Sequence, residues 1–397
     1  MSGDGFGVFV RNLSVRDFRN HERVEIELQP GVTVFEGPVG SGKTNLLEAL
    51  YVACLGRSFR TSNDRELIRF DAPVARATVV VVDGGLEHRL EVVIQRSSAK
   101  VIRVDGARLE RPTESDARPL VCVFAPDRLE LVKGAAGVRR AHLDEVVAAL
   151  WPARRRTRRS YARALAQRNS LLARVRAGNA SLSSLGGWTT ELAQHGVQLM
   201  ADRREAVEQL SPRFADLGLE LGLEGFPALV YHPRSAATAS EELEHELELK
   251  LESDLDRGFT THGPHRDDLS LDLDGRSLRR FGSQGQQRLA LLALLIAERD
   301  VLASTRTATP LLLLDDVLSE LDGRRRERLL DLLDREGQTL LTTADPVAVG
   351  SRAGFARVQV TGDGPRSARP GQEEGPMTRA ELPARVRSKA GPKAAAA

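Results

Sequence analysis

The sequence predicts an α/β fold with mixed sheets and an inserted helical arm. Short β-branched runs fill the first part of the chain, apolar residues fall at helical spacing from about 138 to 250, and strands and helices alternate again from about 257. We therefore expect residues 1–130 and 257–360 to build one α/β unit, with residues 131–256 inserted as the arm. Residues 361–397 are rich in Gly, Pro, Ala and charge, which is typical of a disordered tail.

Composition narrows the class of protein. The chain has 397 residues and 41% hydrophobic content, enough for a sizeable core, and its net charge of +2 does not by itself indicate a nucleic-acid partner. Two cysteines, Cys54 and Cys122, are too few for a disulfide framework or a four-thiolate zinc site. No signal peptide and no apolar run of about 18 residues is present, so we expect no membrane span and a cytoplasmic location.

The first part of the chain contains candidate strands. Residues 32–35, 77–82 and 90–94 are β-branched or aliphatic runs, and Asp83-Gly84-Gly85 and Asp105-Gly106 are turn signals. One apolar stretch, 45–54, follows a glycine-rich loop and predicts a helix.

That glycine-rich loop predicts a phosphate site. Its sequence, Gly37-Pro38-Val39-Gly40-Ser41-Gly42-Lys43-Thr44, lies between a predicted strand and a predicted helix. Backbone N–H groups of such a loop and the helix N-terminus bind phosphate oxygens. Lys43 would contact the β- and γ-phosphates of ATP, and Thr44 would offer its hydroxyl to Mg²⁺. The candidate ATP-binding residues are Gly37, Pro38, Val39, Gly40, Ser41, Gly42, Lys43, Thr44 and Asn45.

The inserted region predicts two helices. Tyr161, Leu165, Leu172 and Val175 fall near helical spacing, and residues 182–187 form a candidate turn. The second helix follows from the spacing of Trp188, Leu192, Leu199, Ala206 and Leu210.

Residues 283–287, Ser-Gln-Gly-Gln-Gln, precede a predicted helix over 288–297. A hydroxyl, a glycine amide and a helix dipole at one point form a second candidate anion site, comprising Ser283, Gly285 and Gln286. By itself this pattern is more often an ordinary N-cap. Its position shortly before an acidic strand favours the anion site.

The aliphatic run 311–314 predicts a buried parallel strand, and Asp315-Asp316 follows it. Ligands bind at the carboxyl ends of such strands. Asp315 would hold Mg²⁺ or its water, and Asp316 would polarise the attacking water. Asp316 and Lys43 are therefore the candidate catalytic residues.

The order of these elements resembles that of ABC-type ATPase heads, and within that group the chain resembles the RecF family. The matching segments lie between about 8 and 345; they are 18–20, 57–61, 126–129, 139–144, 161–169, 263–268, 282–288 and 314–322. Among these, Gly263-Pro264-His265-Arg266-Asp267-Asp268 is specific to the family. The chain differs at Val39, where the family usually has Asn, and at Thr342-Thr343, where many heads have a switch histidine; Asp316, a Glu in many heads, is usual in this family.

The resemblance implies an ATP-induced homodimer in which Ser283, Gly285 and Gln286 of one subunit contact the ATP held by the other. It also implies a weak, DNA-stimulated ATPase in recombinational repair, replication and the SOS response. Such a protein binds double-stranded, single-stranded and gapped DNA, and with RecR and RecO promotes RecA loading.

Arginines at the base of the arm are the candidate DNA contacts. They are Arg139, Arg140, Arg154, Arg155, Arg156, Arg158 and Arg159. A dense arginine patch binds phosphates without reading sequence, although a run of charge is often only a solvated helix face.

Two alternatives share the nucleotide motifs. A nucleotide-binding subunit of another ABC system has all three motifs but lacks the string 263–268 and the insertion. A structural clamp would use ATP as a ligand without significant hydrolysis, and a phosphate-release assay with and without DNA distinguishes it.

Overall fold

The structure is a computed structural model that describes residues 7–110, 115, 117–306, 309–335, 337–361 and 364–367. The strands are β1 (Phe9–Phe18), β2 (His21–Glu27), β3 (Val32–Glu36), β4 (Val74–Asp83), β5 (Leu86–Gln95), β6 (Val101–Val104), β7 (Ala107–Leu109), β8 (Val121–Phe124), β9 (Pro227–His232), β10 (Asp268–Leu273), β11 (Arg276–Ser277), β12 (Leu311–Leu314), β13 (Thr339–Thr343), β14 (Ala356–Thr361) and β15 (Gly364–Ser367). The helices are α1 (Lys43–Leu55), α2 (Glu130–Lys133), α3 (Ala136–Leu150), α4 (Arg155–Arg176), α5 (Gly186–Leu221), α6 (Ser240–Leu249), α7 (Leu251–Arg257), α8 (Leu278–Phe281), α9 (Gln284–Thr305) and α10 (Gly323–Leu333).

A six-stranded sheet in the order β15-β14-β3-β13-β12-β8 positions the candidate site. Strands β14, β3, β13, β12 and β8 are parallel to one another, and β15 is antiparallel to β14. All residues of β3, β12 and β13 are buried, as aliphatic strands covered on both faces should be. The carboxyl ends of β3, β12 and β13 therefore lie side by side.

A second sheet, in the order β2-β1-β4-β5-β6-β7, is antiparallel. Helix α1 lies between the two sheets, because its buried apolar residues share one core with β1, β4 and β5 on one side and with β12 and β13 on the other. This packing holds the first turn of α1 at the carboxyl end of β3.

The opposite face of the parallel sheet packs on α3, α5 and α9. Helices α4 and α5 extend this layer and bury a smaller core around Tyr161, Leu192 and Met200. A third sheet, β11-β10-β9, packs on α5.

The α/β class with mixed sheets is confirmed, as are the two helices around 182–187: a 3₁₀ turn at Leu182–Leu185 joins α4 to α5. The arm is not wholly helical, however, because β9 lies within it. This strand was missed because its ladder partner is β10, which lies beyond the predicted arm.

The described residues up to 367 pack as one compact unit, and the boundaries at 130, 256 and 360 remain predictions. The predicted tail is shortened at its start, because residues 364–367 pair with β14 as an edge strand, where proline is tolerated. Residues 368–397 lie outside the described residues. None of the helices in the described ranges combines the length and apolar character that a membrane span requires.

Candidate nucleotide-binding site

The predicted phosphate loop connects β3 to α1. Gly40 and Gly42 have φ values of 84° and 100°, a region that favours glycine. A Cβ at Gly42 would also lie 2.5 Å from Nε2 of His21, so this position has no room for a side chain. Helix α1 has no side-chain cap, which leaves the N–H groups of its first turn available to an anion.

Lys43 begins α1 and is buried beneath the loop. Its Nζ donates to the carbonyl oxygens of Gly37 at 2.7 Å and Pro38 at 2.8 Å. Burial lowers the pKa of the ammonium, and the carboxylates of Asp316 and Asp315 oppose that effect. The cation thus lies among the predicted phosphate contacts and faces both acids of the neighbouring strand.

The two sequence-predicted acids follow β12 and meet the loop. The Thr44 hydroxyl donates to Oδ1 of Asp315 at 2.7 Å, across 271 positions of sequence. Asp316 has a left-handed backbone with φ 48°, and its N–H donates to Oγ1 of Thr342 at 2.9 Å. Oδ1 of Asp316 is buried and has no hydrogen-bond partner among the described residues. The structure therefore brings together Lys43, Thr44, Asp315 and Asp316.

The residues present fit a hydrated magnesium ion. Mg²⁺ in nucleotide sites is held by one or two protein oxygens together with phosphates and water. Thr44 and Asp315 supply two oxygens in mutual contact, and the buried, unpartnered Oδ1 of Asp316 adjoins them in sequence. In the described ranges, there is no group of three or more His, Cys, Asp or Glu residues that could hold a metal ion.

The turn between β1 and β2 supports the loop from outside. Asn20 Nδ2 donates to the carbonyl oxygen of Ser41 at 3.3 Å, and His21 Nε2 donates to that of Gly42 at 3.0 Å. Asn45 Nδ2 donates to Oδ1 of Asn20 at 2.7 Å. These contacts give the segment 18–20 a role in holding the phosphate loop, which its sequence alone did not reveal.

Glu48 is a central residue that sequence reasoning missed. Its side chain is 0% exposed, and its carboxylate accepts bonds from Arg19 at 2.8 and 2.9 Å, Ser58 at 2.6 Å and Arg60 at 3.1 Å. One buried charge thus connects the segments 18–20 and 57–61 to the helix that carries Lys43. An acidic residue within the apolar stretch 45–54 was the available signal.

Ser283 caps α9, which begins at Gln284. Its Oγ accepts from the Gln286 N–H at 3.2 Å, and Oε1 of Gln286 accepts from the Ser283 N–H at 2.9 Å, which completes a capping box. Ser283 is exposed, and a Cβ at Gly285 would meet nothing closer than 3.9 Å. No hydrogen bond within the described chain joins Ser283, Gly285 or Gln286 to the loop 37–44.

The segment after Asp316 connects the acids to this helix. Arg288, in the first turns of α9, forms an ion pair with Glu320 at 2.6 Å. Burial raises the pKa of the Glu320 carboxyl; Arg288 opposes this, and the charge of Asp316 adds to it. Ser319 donates to the carbonyl oxygen of Asp316 at 2.8 Å. The start of α9 is therefore on the same side of the sheet as the acids.

The string 263–268 joins the arm to the sheet. Buried Arg203 on α5 donates to Asp144 on α3 at 2.8 and 3.2 Å, and to Asp267 at 3.0 Å. His265 Nε2 donates to the Thr260 carbonyl at 2.9 Å. Nδ1 of His265 therefore accepts from the Tyr161 hydroxyl at 2.7 Å. These contacts give the string a structural role.

The predicted DNA contact at Arg139 is corrected. Arg139 is 3% exposed, and its guanidinium donates twice to Asp268 at 2.8 Å and once to the Gly134 carbonyl at 2.7 Å. Arg140 is half-buried and donates to the Asp267 carbonyl at 2.7 Å. Adjacent side chains on a helix point about 100° apart, so Arg139 lies on the buried face of α3 while Arg140 lies nearer to the surface.

The remaining arginines fall into two groups. Arg154 pairs with Asp202 and Glu205 and stacks 4.0 Å from the Trp151 ring, and Arg158 pairs with Asp144 at 3.2 Å. Three others on α4 have no carboxylate partner among the described residues; they are Arg155, Arg156 and Arg159. The pKa of Arg155 is lowered by burial and by the charges of Arg159 and Arg306.

Known proteins are similar to this chain over most of its length. A family profile described as the RecF/RecN/SMC N terminal domain matches residues 9–363. The DNA replication and repair protein RecF of Anaeromyxobacter sp. (strain Fw109-5) is 39% identical over 354 residues, which cover 86% of this chain and 94% of that protein. The protein of the same name from Roseiflexus castenholzii is 36% identical over 368 residues, covering 85% and 93% of the two chains.

Two solved structures are similar to this chain over most of its length. The recombination mediator protein RecF in the RecFOR pathway, in its RecF-ATP structure, superimposes with a TM-score of 0.81 at 26% identity, covering 93% of this chain and 100% of that one. The Smc head domain of Pyrococcus furiosus, solved bound to the C-terminal domain of ScpA, has a TM-score of 0.56 at 17% identity over 91% of this chain and 96% of that one. The second likeness shows the fold of an ATPase head.

Proposed function

The chain belongs to the RecF family, and on that premise we propose that it is an ATP-dependent DNA-binding clamp of recombinational repair. The observation that carries the proposal is the junction of the phosphate loop with the two acids, where Thr44 and Asp315 are in contact and Lys43 faces both carboxylates. ATP and Mg²⁺ fit these groups, and a bound Mg²⁺ would neutralise phosphate charge. RecR, RecO and RecA are the proposed partners, and the cytoplasm is the proposed location.

The chemistry assigned to this chain's own residues is hydrolysis. Lys43 and the loop amides would orient the phosphates, and Thr44 and Asp315 would hold the metal. Asp316 has a buried oxygen without a partner, so it can accept a hydrogen bond from the attacking water. With the proposed domain division at 130 and 256, all of these groups would belong to the head, and Arg155, Arg156 and Arg159 would belong to the arm.

Dimerisation is proposed from the position of Ser283, Gly285 and Gln286. These residues are on the same side of the sheet as the acids, but none of them bonds to the loop of its own chain in the described structure. In a two-fold dimer, this helix start would face the γ-phosphate held by the partner, and each contact would occur twice.

The unpaired arginines of α4 support DNA binding. Arg155, Arg156 and Arg159 present charge without carboxylate partners, so phosphates need not displace an existing ion pair. Single-stranded, double-stranded and gapped DNA are all proposed ligands, since phosphate contacts alone do not distinguish among them.

The clamp is tested by sedimentation velocity with ATP and Mg²⁺, with ADP, and with a Ser283→Arg variant. Wild type should dimerise with ATP and stay monomeric with ADP, which lacks the bridging γ-phosphate. Ser283→Arg should stay monomeric, because it adds bulk and positive charge at the positive end of the helix dipole. The matched control is Ser304→Arg, the same change at an exposed position about 30 Å along the same helix. Dimerisation of both variants, or of neither variant, would contradict the clamp.

A phosphate-release assay with and without DNA separates the proposed weak, DNA-stimulated ATPase from a purely structural clamp. Dimerisation with ATP but no release above background would favour the structural clamp.

A further inference from the structure

Thr342, near the end of β13, contacts both acids of the candidate site. Its Oγ1 donates to Oδ1 of Asp315 at 2.8 Å and accepts from the backbone N–H of Asp316 at 2.9 Å. The side chain is 1% exposed and lies on a strand that is paired on both sides, with β3 and β12. The hydroxyl is therefore fixed by the sheet itself.

The two bonds have different consequences. The bond to Asp315 holds the same carboxylate oxygen, Oδ1, to which Thr44 donates at 2.7 Å. Because Thr44 is a candidate metal ligand, the Thr342 bond is the one that can orient Asp315 independently of the metal. The bond from Asp316 satisfies the N–H of a residue whose φ is 48°, a conformation that is strained for a residue other than glycine.

We infer that Thr342 is a positioning residue for both acids, one that aims Asp315 at the metal and holds Asp316 in its left-handed conformation. The inference rests on the proposed ATPase function and deepens it. Partners that orient a metal ligand through a hydrogen bond contribute about 10- to 100-fold to metal affinity or activity. A hydroxyl at the strand end where many heads have a switch histidine thus takes part in the site by a different route.

Two substitutions remove or keep this hydroxyl. Thr342→Val keeps the branched shape and deletes both bonds, and Thr342→Ser keeps the hydroxyl. The matched control is Thr339→Val on the same strand, because Thr339 is 0% exposed and its Oγ1 has no hydrogen-bond partner in the described chain. Thermal unfolding is measured first. If Thr342→Val destabilises the fold, Thr342→Ala replaces it in the measurement, because it deletes the same two bonds with a smaller side chain.

The main measurement is the affinity for a fluorescent ATP analogue as Mg²⁺ is titrated, with ATP turnover measured in parallel. We expect Thr342→Val to need about 10- to 100-fold more Mg²⁺ for the same gain in affinity, with unchanged affinity in EDTA and a lower kcat at saturating ATP. Thr342→Ser and Thr339→Val should stay within about threefold of wild type on the same scale.

The outcomes separate the two proposals. If Thr342→Val needs no more Mg²⁺ than wild type, the positioning role is overturned and the ATP site is left intact. Where Thr342→Val destabilises the fold, the same result in Thr342→Ala decides. An equal loss in Thr342→Val and Thr339→Val would also overturn it, because the effect would then come from repacking β13. If wild type itself bound the nucleotide without any response to Mg²⁺, the proposed ATP site and the inference would both fail.

Discussion

His265 should make the stability of this protein depend on pH in a defined window. Its Nε2 donates to the Thr260 carbonyl and its Nδ1 accepts from the Tyr161 hydroxyl, so the neutral ring satisfies both partners. Burial lowers the pKa of His265 from 6.5 to about 4; the Thr260 carbonyl opposes the shift, and Arg266 and Arg140 add to it. A proton on Nδ1 would make that nitrogen a donor, so the Tyr161 hydroxyl could no longer donate to it and would have to turn to accept instead.

The sign and size follow from the two pKa values. Between about 4 and 6.5 the unfolded chain binds a proton at this position and the folded chain does not, so the free energy of unfolding rises with pH there. The contribution is complete above 6.5 and is lost as the pH falls to about 4. A difference of about 2.5 pH units at 1.36 kcal/mol each gives about 3 kcal/mol.

The assay is urea unfolding followed by circular dichroism at several values between pH 4 and pH 8, for wild type and His265→Gln. The variant loses both ring contacts at every pH, but it cannot titrate, so its curve should fall by about 3 kcal/mol less than that of wild type across the window. His245→Gln is the control, because His245 is exposed and has no hydrogen-bond or ion-pair partner in the described chain. Parallel curves for wild type and His265→Gln would refute the reasoning.

Three further predictions concern the proposed ATPase and DNA contacts. Lys43→Ala should weaken ATP binding by at least about tenfold in a fluorescence titration, because a charged hydrogen-bond donor to the phosphates is lost; wild-type affinity would contradict the loop assignment. Asp316→Asn should bind ATP normally but hydrolyse it about 100-fold more slowly in a phosphate-release assay and accumulate the dimer, and wild-type turnover would exclude Asp316 from the mechanism. Replacing Arg155, Arg156 and Arg159 with Ala should weaken binding to all DNA sequences alike and reduce the slope of log K against log salt by about 2 to 3, and an unchanged slope would make this a solvated helix face.

The nucleotide site could be predicted from sequence because each of its parts is local. The loop 37–44 is bounded by its own strand and helix, and the acids 315–316 follow directly on an aliphatic run. Strand order in the sheet then brings them together, because carboxyl ends of parallel strands share one edge. The contact of Thr44 with Asp315 needed no further information.

Other features depend on contacts that sequence patterns do not encode. The sequence cannot tell which of the two neighbouring arginines, Arg139 and Arg140, is exposed, because only the packing of α3 buries Arg139. Glu48 is ambiguous in the same way, because an acidic residue on a helix is usually exposed. Strand β9 depends on β10, which lies far along the chain: Tyr231 of β9 bonds to Asp267, just before β10, across 36 positions of sequence. Assignments of this kind require the tertiary structure.

The order of strands in the parallel sheet has a consequence for how the protein is made. Strand β3 lies between β13 and β14, and both of these neighbours are among the last strands to leave the ribosome. A nascent chain of 300 residues therefore holds a strand that is buried in the finished fold but has neither edge paired, and the Thr44 hydroxyl has no Asp315 to meet. Pairing over such separations is slow and leaves intermediates open to aggregation. The contact between the phosphate loop and the acids can therefore form only late in synthesis, after β12 has been made.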